Sequence, residues 1–244
     1  MGILQKIVRL LASLRTAIWL LLALLCILLY GSIIMPLREE FQGLHMAPLF
    51  QWLAESPAGV TWWLWAAMGV LSLLTTNTLF CSVESIIKKS STRNMLLVLS
   101  PQVIHIGFLF VLLGHLLSSY GSFKATAYVT QGTVLPLPNN ESVIFGEIHA
   151  DAGPSGYIID WSADIRYLKG GGLSRTDVIG PNSPSFHGGF GIYIKTVEFR
   201  PFPVALVELS RDPGAIWALV GGILFLIGMT ALLVLKIKRE RPSG

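Results

Sequence analysis

The sequence has few charged residues and few cysteines. Of its 244 residues, 13% are charged and 52% are hydrophobic, whereas about a quarter of an average soluble domain is charged. This scarcity of charge excludes an ordinary soluble domain for most of the chain. The formal net charge of +4 is no argument for nucleic-acid binding, because the basic residues cluster beside apolar segments, where they act as membrane anchors.

The two cysteines, Cys26 and Cys81, lie in different apolar segments and form no Cys-x-x-Cys pair. Their positions exclude a disulfide framework and give no support to thiol redox chemistry. Within residues 124–212, no paired carboxylates, Ser/His/Asp set or phosphate-binding loop stands out either. The glycine run at 170–172 is followed by Leu173 and Ser174 rather than by lysine, so we interpret it as a loop.

Four segments are free of charge over the length of about 20 residues that a helix needs to cross a bilayer. They are Thr16–Leu37, Ala58–Val83, Asn94–Phe123 and Pro213–Leu235. The predicted fold is an α-helical membrane protein with four transmembrane helices and a small β-rich extracytoplasmic domain between helices 3 and 4. The predicted parts are 1–123, with spans at about 16–37, 60–83 and 97–119; the domain 124–212; and 213–244, with the fourth span and a basic tail.

Lysine and arginine indicate the orientation of the helices. Ten of the eighteen basic residues lie in three segments: Lys6, Arg9, Arg15, Lys88, Lys89, Arg93, Lys236, Lys238, Arg239 and Arg241. Cytoplasmic segments carry this excess of positive charge. Both termini are therefore predicted to be cytoplasmic, and a bacterial inner membrane fits the pattern.

Residues 124–212 alternate short β-rich runs with clusters of glycine, proline and asparagine. This pattern predicts a small antiparallel sheet domain. Few of its residues are apolar, so we expect a small core that leans on the membrane or on a partner.

The third apolar segment carries two histidines, His105 and His115. Ionisable residues within a membrane span are costly and therefore indicate function. Ser100 and Pro101 predict the helix start, which places His105 about 6 Å along the helix and His115 about 15 Å further. One straight helix cannot supply both axial ligands of a haem at that separation, so a second ligand must come from elsewhere. The alternative is a neutral imidazole bonded to a neighbouring helix.

Three glycines of the same segment, Gly107, Gly114 and Gly121, recur every seven residues and predict a helix-packing face. His105 points about 160° away from Gly107. The remaining histidines are weaker candidates: His149 and His187 in the β-rich domain, and His45 in the first outer loop.

Five stretches stand in order along nearly the whole chain: LASLRTAIWLLLALLCILLYGSIIMP, NTLFCSVESI, HIGFLFVLLGHLLSSYGSF, VIGPNSPSFHGGFGIYI and ELSRDPGAIWALVGGILFLIGM. Together they resemble the ResB family, the cytochrome c biogenesis proteins of the so-called System II. The resemblance implies a partner, an integral membrane protein with a tryptophan-rich haem-handling motif. It further implies that the two proteins move haem to the outer face and attach it to apocytochrome c.

The resemblance also implies a role for His105, within the run His105-Ile106-Gly107. This histidine would be an axial ligand of the iron of haem b at the inner leaflet, with the partner's membrane histidine as the other ligand. His115 is the weaker candidate for haem binding. Whether the haem is bound stably or in transit stays open.

The chain departs from the family in its shorter length and in lacking the tryptophan-rich motif, since TWWLW at 61–65 has no acidic residue after it. It also offers no outer thiol. We therefore expect a non-catalytic subunit of a haem ligation complex. The alternatives are a membrane scaffold or b-haem electron-transfer subunit in a complex with c-type cytochromes, a structural anchor, and a paralogue recruited to another role.

Overall fold

The computed structural model of the chain describes Gly2 and residues 10–44, 47–89, 95–154, 157–198 and 202–240. The chain divides into two compact units, one built of helices and one, from Gly121 to Pro213, built of strands. His45 lies outside the described residues.

Five α-helices of the helical unit have both ends within the described residues, and Leu10 and Leu11 are also helical. The five are α1 (Leu14–Ile34), α2 (Leu49–Glu55), α3 (Ala58–Lys89), α4 (Met95–Gly121) and α5 (Ala215–Glu240). Two short 3-10 helices, Met35–Leu37 and Glu39–Gly43, follow α1. Four of these helices, α1, α3, α4 and α5, are long and apolar enough to cross a membrane. The prediction of four such helices is confirmed, as expected of a multi-pass membrane protein.

Helix α4 begins earlier than the sequence predicts. It runs from Met95, so Pro101 lies inside the helix, and the Ser100 hydroxyl donates to the carbonyl of Leu96 at 2.7 Å instead of capping the helix. The residues around Leu96 are apolar, and a backbone in hydrocarbon satisfies its hydrogen bonds by staying helical. This gain outweighs the cost of the one backbone hydrogen bond that Pro101 cannot make. His105 consequently lies about 15 Å, rather than 6 Å, from the start of α4.

Aromatic side chains pack α1 and α3 together near the end of α1. The indole of Trp63 occupies the space beside Gly31, where a Cβ would collide with its ring. Phe41 packs on Trp63 and on Trp52 with ring centroids 6.1 and 5.3 Å apart. These apolar contacts bury the aromatic residues between the helices.

The second unit consists of two four-stranded antiparallel sheets. The strands are β1 (Phe123–Val129), β2 (Val134–Pro136), β3 (Glu141–Ala152), β4 (Ile158–Lys169), β5 (Gly172–Ile179), β6 (Ser185–His187), β7 (Phe190–Glu198) and β8 (Val204–Arg211). One sheet has the order β1-β8-β7-β6 and the other β2-β3-β4-β5. The predicted β-rich domain is confirmed, and the glycine run forms the turn between β4 and β5, where Gly170 and Gly171 have positive φ.

The prediction of a small core is wrong, while the expectation that the domain leans on the membrane or on a partner stays a prediction. One cluster of buried apolar residues draws on both sheets, including Phe145 and Ile165 from one sheet and Ile192 and Val207 from the other. Alternate residues of a strand point to the same face, so both sheets contribute their inward faces to a shared interior. The domain is a sandwich with its own core.

Candidate functional site

His105 is half-buried on α4 and is held by a residue of α3. Its Nδ1 lies 2.7 Å from the hydroxyl oxygen of Ser82. When the proton is on Nδ1, the imidazole donates to that oxygen, and Nε2 carries the lone pair that a metal ligand needs. Nε2 has no hydrogen-bond partner within the described part of the chain. The contact therefore orients the ring and leaves one nitrogen available.

Ser82 belongs to a polar stretch of α3 that also binds the residues just before α1. The side chain of Asn77, which is 2% exposed, donates to the carbonyl of Leu11 and, at 3.2 Å, to that of Ser13. The thiol of Cys81 lies 3.9 Å from the Asn77 carbonyl oxygen. This Asn-x-x-x-Cys-Ser stretch is part of the family resemblance, but the sequence does not predict the Ser82–His105 contact, because the contact depends on how α3 and α4 are aligned.

The opposite side of α4 packs against α5 through glycine. A Cβ at Gly107 would lie 2.7 Å from the carbonyl oxygen of Gly221, and one at Gly114 would lie 2.8 Å from that of Gly214. The predicted packing face is confirmed for these two glycines. The partner helix has the same spacing, with Gly214, Gly221 and Gly228 seven residues apart. His105 is turned about 160° from Gly107 around α4, so its ring is on the other side of the helix from the glycine contact.

Gln102 lies one turn before His105 and was not singled out from the sequence. It is 3% exposed, and its carbonyl oxygen is buried without a hydrogen-bond partner. A carboxamide three residues before a histidine, in an otherwise apolar segment, is the signal that could have identified it.

The other histidines do not join His105. His115 is exposed and lies ten residues further along α4, about 15 Å away. His149 is exposed, with its Nδ1 3.9 Å from a carboxylate oxygen of Glu147.

His187 belongs to a polar cluster in the sandwich. Its Nε2 lies 3.0 Å from a carboxylate oxygen of Glu141, and its ring packs on Tyr167 with centroids 4.3 Å apart. Glu141 also accepts hydrogen bonds from Lys169 and Asn139, both at 3.0 Å. The bond from Lys169, opposed by burial and assisted by that from Asn139, lowers the pKa of Glu141. These contacts engage Nε2 of His187 in a structural cluster.

A second network extends from the same tyrosine. The Tyr167 hydroxyl donates to Ser185 at 2.9 Å, and Ser185 donates to Asp177 at 2.6 Å. Arg175 donates to the same carboxylate oxygen at 2.7 Å. Burial raises the pKa of Tyr167, and the hydrogen bond from Ser185 lowers that of Asp177. Because Ser185 is buried and fully engaged, this network is structural.

Within the described residues, no three histidine, cysteine, aspartate or glutamate side chains lie close enough to hold a bare metal ion. One imidazole with a free nitrogen on a half-buried ring fits a different centre, a haem, whose porphyrin supplies four of the iron's ligands. The free Nε2 of His105 is thus a donor of the type that can ligate a haem iron.

Fold and site together define a class, a multi-pass membrane protein with a β-sandwich domain and an oriented imidazole in one of its long helices. No protein-family model matches the chain, and no curated protein matches it. Among solved structures, the chain is similar to one described as "Cytochrome c Heme Lyase CcmF", with 14% identity over 91% of this chain and a TM-score of 0.46. The chain spans 35% of the length of that protein, and a likeness of this strength carries no argument about function.

Proposed function

We propose that this chain is a haem-handling membrane subunit of a System II type cytochrome c biogenesis complex. In this proposal, Nε2 of His105 is one axial ligand of the iron of haem b, and a partner membrane protein supplies the other. The observation that carries the proposal is the 2.7 Å hydrogen bond between Ser82 and Nδ1 of His105. Histidine ligands of metals characteristically donate their second ring N–H to a neighbouring group, which fixes tautomer and orientation.

The remaining side chains have positioning roles in this proposal. Ser82 holds the ring, and the glycine contact of α4 with α5 fixes the helix that carries it. Because α5 lies on the other side of α4, the ring is left half-buried on a face that a partner helix can approach. A single axial ligand from this chain and one from a partner make the haem transferable, since separating the proteins removes half of the axial coordination.

The proposed topology places both termini in the cytoplasm and the sandwich on the outer side of a bacterial inner membrane. The basic residues beside the helices support this orientation. The sandwich then faces the compartment where apocytochrome c receives its haem. The partner would carry the tryptophan-rich motif that this chain lacks.

The test is haem absorbance of the purified full-length chain and of single variants produced in a haem-replete bacterial membrane. We expect His105→Ala to remove the haem band and His115→Ala to keep it. His149→Ala is the matched control, since that histidine is exposed in the sandwich. Loss of haem in both the His105 and His115 variants favours the b-haem electron-transfer subunit. Haem retained in His105→Ala, or absent from every preparation, contradicts the proposal.

A second experiment addresses the orienting hydroxyl. We expect Ser82→Ala to weaken haem binding roughly ten-fold to a hundred-fold, the usual cost of losing a group that orients a metal ligand. Ser82→Thr keeps the hydroxyl and should restore most of the affinity. Equal haem affinity of Ser82→Ala and the unaltered chain would show that Ser82 takes no part in haem binding.

A further inference from the structure

We propose that strand β5 pairs with an extended segment of a partner polypeptide in which a basic residue comes two positions before an acidic one. The segment adds one antiparallel strand to the sheet β2-β3-β4-β5, and its two charged side chains enter a cavity beside β5. In this mode of recognition, main-chain hydrogen bonds supply affinity and neighbouring pockets supply specificity. The inference goes beyond the proposed function, because it concerns the sandwich alone and involves no haem.

Strand β5 stands at an edge of its sheet, with β4 as its hydrogen-bonded neighbour. Its eight residues make it longer than the other described edge strands, β1, β2 and β6, and its first five residues are all exposed. Charged side chains often protect such an edge. Arg175 instead donates to the carbonyl of Phe186 at 3.2 Å and to Asp177 at 2.7 Å. An edge of this length and exposure is a template for a further strand.

The main-chain groups of Thr176 point away from β4. In an antiparallel pair, opposite residues alternate between hydrogen-bonded and non-hydrogen-bonded pairs. The N–H of Val178 donates to a carboxylate oxygen of Asp177 at 3.0 Å, so Val178 and the opposite Asp164 form a pair without ladder hydrogen bonds. Thr176 and Arg166, two positions along, are then a pair of the same kind. The N–H and C=O of Thr176 are therefore directed to the free edge, where an added strand would bind them.

A cavity of about 620 Å³ lies on the outward face of the sheet beside β5. Thr176 and Val178 of β5 and Asp164 and Arg166 of β4 line it, together with the bulge of β3. Its volume lies within the range of about 300–1,000 Å³ that is common for ligand pockets. The cavity therefore has room for side chains of a strand added at the edge.

A β-bulge of β3 keeps the cavity open. The register of β3 with β4 shifts between Phe145 and Ile148, so that Gly146 and Glu147 together oppose Asp164. A Cβ at Gly146 would lie 2.9 Å from that of Asp164. Bulges are common next to binding sites, where they re-aim side chains. Here the lack of a side chain at Gly146 leaves the space beside the Asp164 carboxylate open.

Two opposite charges at the cavity are unpaired. Three other carboxylates of the sandwich lie 2.7 to 3.3 Å from a lysine or arginine nitrogen, namely Glu141, Asp177 and Glu208. In contrast, the side chains of Asp164 and Arg166 form no ion pair or hydrogen bond with any described residue, although both are exposed on the same face of β4. A ligand that carries one positive and one negative group would pair both of them.

The register of β4 with β5 determines the order of charges in the partner. Asp164 is opposite Val178 and Arg166 is opposite Thr176, so an added strand continues these two rows. Because that strand is antiparallel, its residue beside Val178 comes two positions before its residue beside Thr176. The first should be basic to meet Asp164, and the second acidic to meet Arg166. Neighbouring strands lie about 4.8 Å apart, so long side chains such as lysine and glutamate can reach across β5.

The test measures binding of two synthetic peptides to the full-length chain in detergent by isothermal titration calorimetry. Both are seven residues of valine and threonine with lysine and glutamate at the third and fifth positions. The lysine-first peptide has the proposed order, and the glutamate-first peptide has the same composition with the two exchanged. A third peptide is the lysine-first sequence N-methylated at glutamate, the amide that would donate to the carbonyl of Thr176.

Two variants of the chain accompany the peptides. Asp164→Arg combined with Arg166→Asp exchanges the two charges of the cavity, and both positions are exposed and unpaired among the described residues. Glu198→Arg is the matched control, because it changes the charge of an exposed residue on the other sheet. Circular dichroism checks that each variant is folded.

We expect the unaltered chain to bind the lysine-first peptide about five-fold to ten-fold more tightly than the glutamate-first peptide, since two cross-strand charge pairs change sign. The exchange of Asp164 and Arg166 should reverse this preference, and Glu198→Arg should keep it. The N-methylated peptide should not bind.

The proposal is overturned by equal binding of the two peptides, by binding of neither, or by an unchanged preference in the exchange variant. Full binding of the N-methylated peptide also overturns it, because strand pairing needs that N–H. If the exchange variant is misfolded, Asp164→Asn decides the question: a narrower preference supports the contact with lysine, and an unchanged preference contradicts it. None of these outcomes bears on haem binding at His105, so this inference and the proposed function fail separately.

Discussion

The helical unit and the sandwich each hold a histidine through a second side chain, but the surroundings differ. His187 meets the carboxylate of Glu141, which is also bound by Lys169 and Asn139. His105 meets only the neutral hydroxyl of Ser82 among the described residues. In a sandwich that has its own apolar core, such a polar cluster is commonly found and stabilises the fold. In a helix built to face hydrocarbon, an imidazole with one free nitrogen is an exception that requires a role.

The two units also close their interiors differently. The sandwich buries large apolar side chains between its sheets. Helices α4 and α5 instead pack closely because glycines stand at their contact. Lipid tails are as apolar as leucine, so burial of apolar side chains contributes little to the association of membrane helices. Close packing of the helix backbones contributes instead. We therefore expect substitutions to affect stability in opposite ways in the two units. A smaller side chain should destabilise the sandwich, and a larger one should destabilise the contact between α4 and α5.

The largest expected effect is a cavity in the sandwich. Phe145 has no exposed surface, so Phe145→Ala should destabilise this unit by about 3–5 kcal/mol. Urea-dependent proteolysis of the full-length chain in detergent measures the change, with cleavage sites mapped by mass spectrometry. Cleavage confined to residues 121–213 supports the contrast between the units. Simultaneous loss of the helices would show that the two units are stabilised jointly.

A smaller effect is expected from added volume between the helices. A Cβ at Gly221 would lie 2.6 Å from the carbonyl oxygen of Gly107, while one at the adjacent Gly222 meets nothing within 4 Å. Gly221→Ala should lower stability by about 1–3 kcal/mol, as overpacking does. Gly222→Ala, the matched control, should be neutral or slightly stabilising because alanine favours helix. Thermal unfolding in detergent compares them, and equal melting temperatures would contradict the close contact.

The smallest effect is a pH dependence of the sandwich. The pKa of Glu141 is lowered below its ordinary 4.5 in the folded chain, so its contribution to stability is complete above that value. The contribution is lost as pH falls through the lower, folded pKa. Glu141→Gln should flatten the decline of sandwich stability in acid, measured by proteolysis across pH 3 to 6 (roughly the range of carboxyl titration). An unchanged acid response would show that other carboxylates, such as Asp177, dominate.

Much of the fold was predictable because its signals are local. The absence of charge over four long segments predicted four helices, and the spacing of Gly107 and Gly114 predicted a packing face. The matching glycine repeat of α5 is an equally local signal in the sequence. The start of α4 was wrong because the cap signal of Ser100 and Pro101 is weaker than the requirement for a helical backbone beside apolar residues. The size of the sandwich core was underestimated because composition does not show that two sheets share one interior.

The candidate site was less accessible from sequence. His105 could be singled out from its residue type and setting. Ser82 lies 23 positions away in the chain, and only the alignment of α3 with α4 brings it to the ring. Gln102 was overlooked because an amide carries no charge, and only the structure shows that its carbonyl oxygen is buried without a hydrogen-bond partner among the described residues.

The matched glycine spacing of α4 and α5 limits how these helices can move. Seven residues advance an α-helix by about 10.5 Å, so sliding one helix along the other by any shorter distance would bring bulky residues such as Phe110 or Phe225 against bare backbone. The glycine spacing therefore favours one register of α4 against α5. On another side of α4, the ring of His105 is bonded through Ser82 to α3, and Asn77 of the same helix binds the carbonyls of Leu11 and Ser13 just before α1. These polar bonds therefore tie three of the long helices together where the glycine contact does not reach.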